Sequence, residues 1–279
     1  MSSITAKEKA KLASYLIKQA PPGQFTEVLS NVRTLLNDDN LFCTECLPVL
    51  QEHNELMFTP CKVVKTDGDS LITSHGRCDS KYIDNRNKLK FAVDHIKQEC
   101  TSSEKFELNP TTRCYHDPID LEISNYVKER HKNGTCAVYV TGEEPNIQIV
   151  ICIERHAYNR ANFWSGALLG DYRIDVEKLT LKGTITTKIH YYEDANVQLH
   201  SRKMLEESLK PFSEKKDLAA EICRIIRVEE DKYQGALDTD ITHINDVTFK
   251  ALRRAMPVMR TLVDWDKIFA YGIAQELTK

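Results

Sequence analysis

KGTITTKIHYY (Lys182–Tyr192) sets Ile185, Thr187, Ile189 and Tyr191 on one side of an extended chain and Thr184, Thr186, Lys188, His190 and Tyr192 on the other. That two-residue period marks a strand with unlike faces. Working outward, Cys136–Thr141, Ile147–Arg155 and Leu168–Val176 precede it and Asn196–His200 follows it as further strands. The links between them, such as Gly142-Glu143-Glu144-Pro145-Asn146, are too short for crossover helices, so the five strands are read as an antiparallel meander. Such a sheet must cover its apolar face. The cover is the segment from about Glu214 to Leu237, where Leu218, Ile222, Ile225, Ile226, Tyr233 and Leu237 recur among charges as in a long amphipathic helix. The fold class is α+β.

Upstream, the period is helical. Thr5 can cap a first helix with Glu8 reaching back, and Leu12, Leu16 and Ala20 are expected on its apolar face. Pro21-Pro22-Gly23 stops it. Phe25, Val28, Leu29, Val32, Leu35 and Leu36 give a second helix that ends before Asn37, and a third runs irregularly from about Leu41 to Met57, with Pro48 as a kink or delayed start. An antiparallel helical layer is the consequence. From Cys61 the chain turns to strands: Val63-Val64 and Leu71-Ile72 flank a hairpin turn at Thr66–Asp69, and Leu89, Phe91 and Val93 alternate with polar residues. Thr101–Asn109 reads as loop, and Pro118–Lys132 as a helix with Ile119, Ile123, Tyr126 and Val127 inward and Asn133-Gly134 as its C-terminal cap. The expected segments are a helical layer at 1–60, a strand-rich region at 61–200, a long helix with a basic stretch at 201–260 and an amphipathic tail at 261–279, together one cooperative unit.

Bulk properties narrow the function. With 279 residues, 41% of them hydrophobic, and net charge −3, the chain can bury a sizeable core, and its overall charge does not indicate nucleic acid. Nine scattered cysteines and an N-terminus without an apolar signal core point to free thiols in a reducing cytosol. Ser2 and the terminal Glu-Leu-Thr-Lys do not fit myristoylation or prenylation, and no apolar run approaches the roughly 20 residues of a spanning helix. Cys43 and Cys46 form a CxxC near His53, but a structural zinc site needs four ligands and no second knuckle occurs, so no metal or cofactor is expected. His190, Glu193 and Asp194 are the most enzyme-like group; without a phosphate loop, a nucleophile elbow or HExxH they read as cross-strand polar pairs, and the chain is not read as an enzyme.

The C-terminal stretch FKALRRAMPVMRTLVDWDKIFAYGIAQELTK (Phe249–Lys279) is different in kind. Lys250 and Arg254 share a helical face, Arg260 follows beyond Pro257, and Trp265, Ile268, Phe269 and Leu277 then form an apolar stripe. Such a stripe either docks on its own core or projects as an arm into a partner's groove.

FKALRRAMP (Phe249–Pro257) and IHYYEDANV (Ile189–Val197) resemble the two signature stretches of the alpha subunit of F-actin capping protein. APPGQF (Ala20–Phe25), LLNDDNL (Leu35–Leu41), NFW (Asn162–Trp164) and DWDKI (Asp264–Ile268) fall in that family's order, so the likeness covers nearly the whole chain. Ala195 departs from the usual glycine and Met256 from leucine, and Leu262, Gly272 and Ala274 stand where more basic residues are usual. The resemblance implies a long helix across an antiparallel sheet that a beta subunit continues. It also implies a cytoplasmic, cytoskeletal heterodimer that caps actin-filament barbed ends independently of calcium, with phosphoinositide lipids as regulators. The family's actin-contacting basic residues correspond to Lys250, Arg254 and Arg260, with Trp265, Ile268, Phe269 and Leu277 as the apolar arm. The alternative is a phosphoinositide-binding membrane-surface adaptor that uses the same basic segment.

Overall fold

A computed structural model describes residues 5–63, 66, 68–159, 161, 163–192 and 196–243. Helix α1 (Ala6–Lys18) begins as its sequence requires: Thr5 accepts from the Glu8 N–H and the Glu8 carboxylate accepts from the Thr5 N–H. Its buried face is Ala10, Ala13 and Ile17, whereas Leu12 and Leu16, expected inside, are 59% and 36% exposed. Two small residues let α1 pack closely on its neighbours, and that geometry turns the bulkier leucines outward. Helix α2 (Phe25–Leu36) buries Leu29, Val32 and Leu36, leaves Leu35 in solvent and ends at Asn37 in the left-handed conformation. A turn of helix α3 (Asp39–Leu41), a π-helical turn (Phe42–Cys46) and α4 (Leu47–Leu56) complete the layer; Pro48 stands in the first turn of α4, where its missing N–H costs nothing. Ile17, Leu29, Val32, Phe42, Cys46 and Leu50 form its core.

Strands β1 (Thr59–Lys62) and β2 (Asp69–Ile72) make the expected hairpin. A four-stranded antiparallel sheet follows: β3 (Arg77–Cys78), β4 (Lys81–Asp84), β5 (Leu89–Asp94) and β6 (Glu99–Lys105), in that order. The polar stretch read as loop is therefore strand at its start, because β6 pairs along β5 with side chains that remain largely in water. Cys61, Val63, Ile72, Tyr82 and Phe91 fill the core under this sheet. Helix α5 (Pro110–Arg130) starts a full two turns before the expected boundary and carries Pro118 inside it. Asn109 caps it, and Gly134 opens the next strand instead of closing the helix. Arg86, in the turn between β4 and β5, holds Asp120 of α5 with two hydrogen bonds of 2.9 and 2.7 Å, so the small sheet is tied to this helix.

The five-strand meander is as expected, with order β11-β10-β9-β8-β7: β7 (Gly134–Thr141), β8 (Gln148–Asn159), β9 (Trp164–Asp175), β10 (Thr180–Tyr191) and β11 (Val197–Ser208). The strands are longer than their apolar runs, β11 most of all. In register, Ile151 faces Tyr172 and Tyr172 faces Gly183, so Ile149, Ile151, Ile153, Tyr172, Ile174, Leu181 and Ile185 share one face, all of them fully buried. Helix α6 (Lys215–His243) supplies Leu218, Ile222, Ile225 and Ile226 as the buried residues of its first half. On the opposite face Tyr139, Cys152, Ala167 and Leu169 pack with Met57, Phe58 and Leu71. The chain divides into two compact units, Met1–Glu230 and Asp231–Lys279. No described helix is long and apolar enough to cross a membrane.

Candidate functional site

The basic and apolar residues singled out in the C-terminal stretch, Lys250, Arg254, Arg260, Trp265, Ile268, Phe269 and Leu277, lie outside the described residues, as do Glu193 and Asp194. What the described residues show is a sheet edge, two polar clusters and a small pocket.

The first feature is an edge. β11 pairs with β10 along its whole length and ends the sheet among the described residues. His200, Arg202 and Met204 are exposed on the face away from α6, and Met204 is 78% exposed, while Lys203 on the other face reaches Glu229 of α6 at 2.9 Å. A long edge strand with an exposed methionine is a pairing surface that a chain must cover or protect.

A second feature fixes α6 to the sheet. Glu230 is fully buried and accepts from the Tyr126 hydroxyl at 2.7 Å and the Tyr172 hydroxyl at 2.9 Å. Arg155 Nη1 lies 2.9 Å from His131 Nδ1. Because the guanidinium can only donate, Nδ1 accepts, and the ring proton sits on Nε2, which faces the Glu230 carboxylate at 3.5 Å. Burial pushes the Glu230 carboxyl up, but the contact with His131 and the two tyrosine hydroxyls outweigh it and hold the group below its ordinary range.

His75, Cys152 and Asp171 form a third group, with one ligand atom of each within 4.8 Å of the others. Cys152 and Asp171 are direct cross-strand partners, and His75 Nε2 lies 3.2 Å from Asp171. The trio has the residue types of a cysteine-nucleophile triad. Burial pushes the Cys152 thiol well above its usual range, however, and its side chain is fully enclosed, so it is neither thiolate nor reachable. Neither member of the CxxC belongs to this group: Cys46 is buried in the helical layer, Cys43 is exposed, and His53 stacks on Phe25 with ring centroids 4.6 Å apart. All nine cysteines are free. His190 is buried, 3.0 Å from Asn196 and stacked on Tyr192, which is a structural environment.

The fourth feature is a small pocket at the end of the sheet where β8 turns into β9 and β10 leads toward β11. Gly23, Glu27, Tyr158, Trp164, Ser165 and Tyr192 line a cavity of about 180 Å³. Gly23 has φ +77°, and a Cβ there would meet Tyr158 at 3.0 Å, so glycine lets the loop lie against the ring. Ser165, itself buried, donates to the Pro22 carbonyl at 2.5 Å and locks that loop onto β9. Trp164 packs on Tyr191 with centroids 5.0 Å apart, and Phe163 meets Tyr192 edge-on. The stretches around Gly23, Trp164 and Tyr192 were each visible in the sequence, but nothing in a linear reading places them at one opening.

The described residues make an α+β fold in which a long helix lies on an antiparallel meander whose outer strand is β11. The chain's sequence matches the family "F-actin capping protein alpha subunit" over residues 13–276. It is 33% identical to the F-actin-capping protein subunit alpha of Caenorhabditis elegans, covering 99% of this chain and 100% of that protein. It is 32% identical to the subunit alpha of Dictyostelium discoideum, covering 98% of each. The fold is shared with the homodimeric actin capping protein alpha subunit of Plasmodium berghei, at a TM-score of 0.73 and 18% identity over 83% of this chain and 92% of that one. The chain belongs to the F-actin capping protein alpha subunit family, a family of actin-capping proteins of the cytoskeleton and not of enzymes.

Proposed function

We propose that this chain is the alpha half of a heterodimer with a capping protein beta subunit, and that the pair binds the barbed end of an actin filament and blocks subunit addition and loss. The observation that carries this reading is the end-to-end match to relatives named as F-actin-capping protein subunit alpha, with 99% of this chain and 100% of the nematode protein covered. Two features of the described surface support a partner. β11 offers a twelve-residue edge, and Leu12, Tyr15 and Leu16 of α1 stand out of the helical layer as a patch of large apolar side chains. The filament contact falls to Lys250, Arg254 and Arg260, which steer toward an acidic surface, and to the stripe of Trp265, Ile268, Phe269 and Leu277, which fills an apolar cleft. The family match favours the filament reading over a purely lipid-binding adaptor, and on this reading phosphoinositides compete with the filament for the basic segment. Capping needs no calcium and no cofactor, and the protein works in the cytoplasm on the cytoskeleton.

The test is co-expression with a beta subunit, sizing of the complex and a seeded elongation assay, run with calcium and with chelator. A one-to-one complex that stops barbed-end growth equally in both conditions is expected. Unimpeded growth at saturating protein refutes the capping reading. A stable, capping-competent assembly of this chain alone refutes the heterodimer.

A further inference from the structure

We propose that the pocket walled by Tyr158, Trp164 and Tyr192 is a docking site for a lysine or arginine side chain presented by a partner protein. Its lining residues are other than the C-terminal residues assigned to the barbed-end contact. Tyr158 and Trp164 are 47% and 48% exposed, an unusual amount of aromatic surface to leave in water at a single opening. Aromatic faces carry the negative end of a quadrupole and attract cations placed over them. Glu27 adds a carboxylate at the rim and forms no ion pair with described residues, and no described lysine or arginine lines the cavity. Two histidines stack on the walls without lining the opening. His156 lies 4.6 Å from Tyr158 and is tied to the buried Glu154 at 2.9 Å, and His190 lies 4.9 Å from Tyr192. The charge that complements this opening is therefore positive.

Size argues for a side chain over a free metabolite: the cavity is about 180 Å³, below the roughly 300–1,000 Å³ of sites that enclose a drug-sized ligand. The walls are also fixed before any ligand arrives, by the Ser165–Pro22 hydrogen bond and the close approach of Gly23 to Tyr158. A preformed cage loses little ordering entropy on binding.

The probe is a fluorescein-labelled peptide, Gly-Ser-Arg-Gly-Arg-Ser-Gly, titrated by polarisation against the full chain assembled with its beta subunit. Its neutral counterpart carries citrulline in place of arginine. Glu27→Gln and Trp164→Leu are each expected to weaken the arginine peptide by about fivefold or more, with the citrulline peptide equally weak on the unaltered protein. Glu143→Gln, an exposed carboxylate in the β7–β8 turn, serves as the control for general charge attraction and is expected to bind as the unaltered protein does. Melting temperatures show whether Trp164→Leu remains folded; Glu27 is exposed, and its conservative replacement tests the site without that question. Equal binding by Glu27→Gln and the unaltered protein overturns the proposal, and so does equal loss in Glu143→Gln. Binding of choline by the assembled protein without any binding of the arginine peptide overturns it too, by assigning the cage to a lipid headgroup. Because elongation is measured separately, a failed barbed-end assay leaves this test interpretable.

Discussion

Replacing Glu230 with alanine removes a group that joins α5, β9 and α6. Tyr126 and Tyr172 each donate to the carboxylate, at 2.7 and 2.9 Å, and all three side chains are buried. A hydrogen bond to a charged group contributes about 1.5–3 kcal/mol, and stranding buried partners by removing one member of such a set costs about 3–5 kcal/mol. The desolvation of the carboxylate is relieved at the same time, so a net loss of about 3 kcal/mol is expected. For a unit of this size each kcal/mol moves the midpoint by about 2–4 °C, which puts the fall at roughly 6–12 °C. The assay is thermal unfolding of the assembled protein at fixed concentration, because association with a partner makes Tm depend on concentration. The pH dependence gives a second reading. The folded Glu230 carboxyl lies below its ordinary 4.5, so its contribution is fully present above the unfolded value and is lost as pH falls through the folded one. The gap between Glu230→Ala and the unaltered protein is therefore constant from neutrality down to about pH 5 and closes in stronger acid. A fall of less than about 2 °C at neutral pH, or a gap that widens toward acid, refutes the clamp.

Three further outcomes follow from other parts of the chain. A Cβ at Gly170 would stand 2.6 Å from the Tyr172 ring, so Gly170→Ala is expected to lower stability in urea by about 1–3 kcal/mol, and an unchanged midpoint contradicts the packing. Alanine at Lys250, Arg254 and Arg260 together is expected to slow association with filament ends and flatten its salt dependence while the dimer's Tm holds; an unchanged association rate removes these residues from the contact. Truncation after Arg260 is expected to leave assembly intact and speed dissociation from filament ends; because Thr261–Lys279 carries only Lys267 and Lys279 as cations, half-inhibition by phosphoinositide should also need more lipid than in lysine-rich relatives.

Much of the fold was legible because one face of each element had to be apolar. The strand period in Lys182–Tyr192 and the helical period of Leu218, Ile222 and Ile226 each identify an element without any tertiary information. The misreadings share a cause. The apolar face read through Leu12, Leu16 and Ala20 points both leucines inward, yet the face that packs is Ala10, Ala13 and Ile17, where small residues permit close approach. β6 carries Thr101, Ser102 and Ser103 in water on an outer strand, with only Cys100 packed against the core beneath, so its pairing to β5 comes from backbone hydrogen bonds and leaves no periodic apolar signal. The early start of α5 was hidden by Pro118, which reads as a beginning and is tolerated well inside the helix.

Sites were less legible than elements, because a site is a coincidence of distant positions. The carboxylate of Glu230 looked like one more charge on an amphipathic helix, and only the register that brings Tyr172 beneath it, with Tyr126 from α5 alongside, turns it into a buried clamp. Gly23, Trp164 and Tyr192 belong to stretches that mark the family in sequence, and the structure gathers them at the same rim although Gly23 stands more than a hundred residues before the other two. Spacing along the chain carried no trace of that meeting. In the structure, glycine with a positive φ beside an aromatic ring, a serine buried by its bond to a proline carbonyl, and a tryptophan left half in water are each costly or unusual alone. Their convergence on one opening explains all three at once, since a wall must be approached closely, held rigidly and left uncovered to receive something from outside.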